Sequence, residues 1–225
     1  MSADYSAQHG PFQIEAIVTD PPWYENCYIV RHKATGEQII FDPGSNPDRI
    51  LASVRAAGGK VSEILLTHGH PDHVGAVQVI QDALGVDCRI HERDKPILDD
   101  VVRFAARSLG VSVEAVRSAK TFDDQTAFSL GGVSFTSIPC PGHTPGSVAF
   151  DFGSFALTGD TLFNHGVGRT DLPGGDSRAL LTSISALLER LAPECELYCG
   201  HGPIWTAAEA REWWPQLLGM SGSFL

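Results

Sequence analysis

Six consecutive positions, His68-Gly69-His70-Pro71-Asp72-His73, carry three histidines and an aspartate. They follow Val61–Leu66, a run that is apolar apart from Ser62 and Glu63 and reads as a buried strand. A fold that accepts this stretch must end a strand on a tight turn and gather polar side chains at its mouth. Imidazole nitrogens and a carboxylate oxygen are ligands for zinc, manganese or iron. His68 and His70 are two apart, so a turning backbone can point both into one site. Asp72 and His73 stand at the strand-to-helix junction, where Pro71 fixes one backbone angle. The plain alternative is a polar turn with incidental histidines, and four ligand-type side chains in so short a span weigh against it.

The same arrangement recurs downstream. His143 lies in P-C-P-G-H-T-P-G-S after the strand-like Val133–Pro139, and Asp160 lies in A-L-T-G-D-T-L-F after Phe155–Leu157. His201 lies in L-Y-C-G-H-G-P after Glu196–Cys199. Singly, an aspartate or histidine in a glycine turn is a turn residue. Recurrence at strand ends, where binding side chains are commonly carried on loops, points to one shared site.

The remaining pattern supplies the frame. Phe12–Val18, Cys27–Arg31, Gln38–Phe41 and Cys88–His91 read as strands, as do Ala127–Leu130 and Ser147–Phe152. Asp48 is the expected N-cap of a helix over Arg49–Ala57, and Val74, Val77, Ile80 and Leu84 give helical spacing to His73–Leu84. Residues 93–118 read as helical with an interruption at Leu109-Gly110 and Ser112 capping the second piece. Asp176 or Ser177 caps a helix to about Arg190, and Thr206–Leu218 forms the last helix. Strand-rich halves alternating with helices imply an α/β layered sandwich. One domain over 1–225 is expected, with 93–118 either inserted as a helical cap or covering a sheet.

Composition narrows the function classes. The formal net charge of -11 argues against a nucleic-acid partner. No apolar stretch is long enough to span a bilayer, and the N-terminus lacks the basic-then-apolar pattern of a signal peptide. The 5 cysteines are odd in number and scattered, which reads as reduced thiols in a cytoplasmic protein.

T-H-G-H-P-D-H at residues 67–73, followed in order by His143, Asp160 and His201, resembles the metallo-β-lactamase superfamily. The resemblance runs from D-P-G at 42–44 to G-H-G-P at 200–203. It implies a four-layered αβ/βα sandwich with metals at one edge, between the sheets. By the same resemblance His68, His70 and His143 bind a first ion, Asp72, His73 and His201 a second, and Asp160 bridges them. Asp42 then supports the metal-binding histidines; its plain alternative is an ordinary Asp-Pro-Gly turn. Asp72 and Asp160 are the carboxylates expected to serve catalysis. Two divalent ions are implied, zinc first, with iron or manganese as alternatives.

G-D-T-L-F-N-H-G-V-G-R-T-D-L-P-G-G at 159–175 is similar to the glyoxalase II-like branch, the hydroxyacylglutathione hydrolases and their short relatives. G-R-T-D also marks related persulfide dioxygenases, and G-H-G-P is closer to the short stand-alone hydrolases. Asp160 sets the chain apart from the lactamase classes, which do not bridge with an aspartate there. Glu212-Trp213-Trp214-Pro215 replaces the Asn-Pro ending of the short relatives, and only residues 202–225 follow His201, against the helical glutathione domain of full-length glyoxalase II. Segment 93–118 is then expected to line the pocket in place of that domain. Arg169 is read either as an anchor for a substrate carboxylate or as an ion-pair partner of Asp171 or Asp176. Trp213 and Trp214 read as a core or homodimer contact, and His9, His32, His91 and His165 match no ligand position.

The resemblance implies a dinuclear hydrolase of a small-molecule thioester of the S-lactoylglutathione type, or of a related small ester, with a metal-bridging hydroxide as nucleophile. The alternatives are a mononuclear iron persulfide dioxygenase using His68, His143 and Asp160, a lactonase or other promiscuous metallohydrolase, and a metal-bearing scaffold without activity.

Overall fold

Two mostly apolar sheets face each other across a core of aromatic and branched side chains. The computed structural model describes residues 4–221. The first sheet runs in chain order: β1 (Tyr5–His9), β2 (Phe12–Val18), β3 (Asn26–His32), β4 (Gln38–Phe41), β5 (Val61–Leu65), β6 (Asp87–His91) and β7 (Lys120–Phe122). β1 to β4 pair antiparallel, and β4 to β7 pair parallel. The second sheet holds β8 (Ala127–Leu130), β9 (Val133–Pro139), β10 (Val148–Asp151) and β11 (Phe155–Gly159). It is completed by β14 (Glu196–Cys199) and β15 (Trp205–Thr206), in the order β15-β14-β11-β10-β9-β8. A short ribbon, β12 (Leu162–Phe163) with β13 (Gly166–Val167), projects from the end of β11.

Alternation along the strands explains the layers, because successive side chains point to opposite faces. In β4, Ile39 and Phe41 enter the core between the sheets, with Phe12, Phe128, Phe150, Phe155 and Tyr198. Ile40 turns outward to a second core under the helices α1 (Pro47–Ala57) and α3 (Val77–Leu84). The outer face of the other sheet packs Leu180, Ile184, Leu187 and Trp214 of α6 (Ser177–Arg190) and α7 (Ala207–Ser221). Both faces of each sheet are therefore buried, and helix, sheet, sheet and helix stack as the four-layered αβ/βα sandwich.

Several local expectations are corrected. Asp48 lies in the first turn of α1 and caps nothing; Asn46 holds the N-cap position in the left-handed region, followed by Pro47. The Asn46 side chain is committed to Asp20, donating to its carboxylate at 2.6 Å and accepting its main-chain N–H at 2.7 Å. The helix expected over His73–Leu84 is broken into α2 (Pro71–Val74) and α3. Its break has a partner: Ala76 N–H donates to the Pro43 carbonyl at 2.9 Å instead of continuing the helical ladder. The segment after β6 is helical only to Leu109, as α4 (Lys95–Asp99), α5 (Val101–Phe104) and a wide turn over Ala105–Leu109. Residues 111–119 form no helix, and Ser112 caps none. Gln78 and Gln81 of α3 hold that stretch instead, bonding Arg117 N–H and the Ser118 carbonyl. Asp176 does cap α6, accepting from Ala179 N–H at 3.0 Å.

Candidate metal centre

The loops that leave β5, β9, β11 and β14 open at one edge of the sandwich. Main-chain bonds draw the two sheets together there: Val148 N–H donates to the Thr67 carbonyl at 3.0 Å, and Asn26 N–H to the Gly200 carbonyl at 2.8 Å. The seven side chains named from the sequence meet in this corner as two adjacent groups. His68, His70 and His143 form one, and Asp72, His73, Asp160 and His201 the other, each with ligand atoms within 4.8 Å of one another. Asp160 spans them, with one oxygen 3.6 Å from His143 Nε2 and 3.6 Å from His201 Nε2. Gly200 makes this approach feasible, since a β-carbon there would stand 2.2 Å from Asp160 Oδ1.

The outward ring nitrogens of His68, His73 and His143 are engaged, while His70 Nε2 is buried without a partner. His143 Nδ1 donates to the Arg169 carbonyl at 2.7 Å, and its Nε2 faces His70 Nδ1 at 2.8 Å. His68 Nδ1 lies 3.0 Å from the Thr67 hydroxyl, which donates to Asp42 at 2.6 Å. His73 Nδ1 lies 3.1 Å from the same Asp42 oxygen. Asp42 also accepts Thr67 N–H at 2.7 Å and sits at φ 48, a backbone state uncommon outside glycine. On the inner side, His68 Nε2, His73 Nε2 and Asp160 Oδ1 are buried without a hydrogen-bond partner. His73 Nε2 lies 3.1 Å from Asp160 Oδ1 but lacks hydrogen-bond alignment. Buried polar atoms rarely go unpaired, and nitrogens held inward by partners on their far side are what a divalent cation requires. The donor set fits two ions.

The two groups differ in charge. Burial, reinforced by neighbouring histidines, holds His68 well below the usual imidazole range and His70 down to about 3. Burial also works against a proton on His73 and His201, but the adjoining Asp160 and Asp72 outweigh it and raise both. Those histidines in turn hold Asp72 below, and Asp160 well below, the usual carboxylate range despite their burial.

The other singled-out residues have partners outside the cluster. Arg169 pairs with Asp171 through two 2.7 Å bonds on the surface, the ion pair that was one of its two readings. His91 is buried against Asp124; His9 bonds Tyr198, His32 bonds Thr35, and His165 packs on Trp205 and Trp213. Trp214 is buried and donates to Ser185, a core contact.

Sequence reasoning missed four neighbours. Phe104 stacks on His70 at 5.1 Å, and Phe163 meets His201 edge-on at 5.7 Å. Glu25, paired through its backbone with His201, is buried with both carboxylate oxygens unpartnered, and burial pushes its carboxyl well above the usual range. Asp94 is buried beside the His70 and His143 loops, where burial raises its carboxyl against bonds from Thr144, Gly146 and Gly69. Its one sequence signal was its place just after β6, another parallel strand.

The chain matches the metallo-beta-lactamase superfamily model over residues 20–201. It is 31% identical over 199 residues to the hydroxyacylglutathione hydrolase GloC of Haemophilus influenzae, covering 87% of this chain and 93% of that one. Among solved structures it resembles BLEG-1 B3 metallo-beta-lactamase, with TM-score 0.84 and 29% identity over 91% of this chain and 99% of that one. It also resembles TTHA1623 in a di-iron-bound form, with TM-score 0.78 and 35% identity over 87% and 96%. This chain belongs to the metallo-beta-lactamase superfamily.

Proposed function

We propose that this protein is a two-metal hydrolase of a small thioester or ester, of the hydroxyacylglutathione type. The observation that carries the reading is the pair of adjacent ligand groups, with Asp160 of one 3.6 Å from His143 of the other and unpartnered inner atoms on His68, His73 and Asp160. In this reading His68, His70 and His143 hold one ion, Asp72, His73 and His201 the other, and Asp160 joins them. When bound, such ions supply Lewis acidity and a nucleophile drawn from water. The chain's own residues fix the geometry: Asp42 orients His68 through Thr67 and His73 directly, and the Arg169 carbonyl orients His143. Phe104 and Phe163 wall the two ends of the cluster with apolar surface. The likeness to GloC favours a thioester substrate. Zinc is the expected ion, while the di-iron form of TTHA1623 makes iron the second choice.

The test combines metal analysis of protein purified without added metal with a thiol-release assay on S-lactoylglutathione. Two ions per chain and thiol release are expected, with His68→Ala and Asp160→Ala losing metal and activity by several orders of magnitude. One iron per chain with oxygen uptake on a persulfide would replace the hydrolase by the dioxygenase. Turnover of a lactone or a β-lactam in place of the thioester would move the substrate class.

A further inference from the structure

Asp94 opens the helical segment after β6 and is fully buried. Its Oδ2 accepts Gly69 N–H at 2.9 Å and the Thr144 hydroxyl at 2.7 Å, and its Oδ1 accepts Gly146 N–H at 2.6 Å. Gly69 lies between His68 and His70, and Thr144 directly follows His143. One carboxylate therefore grips both loops that supply the first group. None of its hydrogen bonds reaches Asp72, His73 or His201.

The hydrogens around it have one consistent assignment. Thr144 has a single hydroxyl proton, which goes to Asp94. The Ser147 hydroxyl must then donate to Thr144 Oγ1 at 2.6 Å, and it accepts Thr144 N–H at 3.1 Å. The contact is also tight: a β-carbon at Gly146 would stand 2.6 Å from Asp94 N and 2.8 Å from Asp94 Oδ1. Asp42 has the complementary place, tying Thr67 to His73 on the far side.

We infer that Asp94 is a positioning residue for one metal only, holding the His68–His70 turn and the His143 loop at ligand separation. The inference rests on the two-metal reading above. Bonds from outside the ligand set commonly contribute about 10–100-fold in metal affinity. Here that contribution falls on the ion of the three histidines and not on the ion of Asp72, His73 and His201.

The test is metal retention against graded chelator, with cobalt(II) absorption spectra identifying the retained ion. Wild type is compared with Asp94→Ala, Thr144→Val and Thr144→Ser. Wild type is expected to hold two ions and Asp94→Ala to lose one about 10–100-fold more readily while keeping the other. Thr144→Val should weaken the same ion by a smaller factor, and Thr144→Ser, which restores the hydroxyl donor, should return it. If Asp94→Ala does not fold, the Thr144 pair decides. Variants that keep both ions at wild-type affinity, or lose both together, overturn the inference alone. A wild type holding a single ion overturns the two-metal reading and this inference with it.

Discussion

A histidine ligates only through a nitrogen that carries no proton, so the partner of its other nitrogen decides what it can do. The Arg169 carbonyl makes that decision for His143, and Asp42 makes it for His73 directly and for His68 through Thr67. Glu25 stands beside them with no such partner on either oxygen. Burial raises its carboxyl well above the usual range, so the folded chain keeps a proton that the unfolded chain releases. The stability this group allows is complete below the unfolded value of about 4.3 and falls as pH climbs toward the folded one. Glu25→Gln removes that fall. In chelated protein the variant is expected to melt several degrees above wild type at pH 8, with the gap closing toward pH 4. Equal melting temperatures across the whole range would sink the idea. The seven ligand-type residues were legible because their types and spacings are unusual in a linear chain. Glu25 and Asp94 were not, since a lone acidic residue in a sequence looks like a surface charge until packing buries it.

At the scale of elements, the segment after β6 shows how a covering piece becomes part of a site. Phe104, at the end of α5, lies 5.1 Å from the His70 ring with planes 28° apart. Truncating a buried Phe costs about 3–5 kcal/mol. Phe104→Ala should therefore lower the melting temperature and also loosen the ion proposed for His70; a lower melt with unchanged metal retention would confine Phe104 to the core. The same segment marks the limit of pattern reading. Val113 and Val116 are three apart, as on a helix face, yet 111–119 is held irregular by Gln78 and Gln81, and both valines pack onto the core beneath α1 and α3. Strands such as β9 and β14 were readable because apolar runs there end in clear turn residues. β7 was not, because its pairing partner β6 is distant in sequence; β1 and β15 pair with near neighbours, but Y-S-A-Q-H carries little apolar signal and β15 spans only Trp205–Thr206. Alternation could suggest layers, but their number follows from which outward faces find helices to cover them.

For the molecule as a whole, the sandwich places two groups of ligand-type side chains side by side and pushes their histidines in opposite directions, His68 and His70 down and His73 and His201 up. In the three-histidine group, burial and the neighbouring imidazoles hold His68 and His70 neutral, each with a single ring proton, at neutral pH. The second group shares its space with Asp72 and Asp160, which keep protons on His73 and His201 above the ordinary imidazole range. A metal entering the first group meets neutral imidazoles at His68 and His70. One entering the second must displace protons, and each costs about tenfold in affinity per unit of pH below the value at which it leaves. Acidification should therefore strip the ions in order. At about pH 6, below the ordinary imidazole value of about 6.5, the chain is expected to keep the ion proposed for His68, His70 and His143 and release the one proposed for Asp72, His73 and His201. Titration calorimetry in buffers of different ionisation heat counts the protons: few on the first ion, one or more on the second. Two ions leaving together as pH falls, or a second ion that binds without proton release, would show that Asp72 and Asp160 do not set the histidine charge, and the asymmetry between the groups would have to be abandoned.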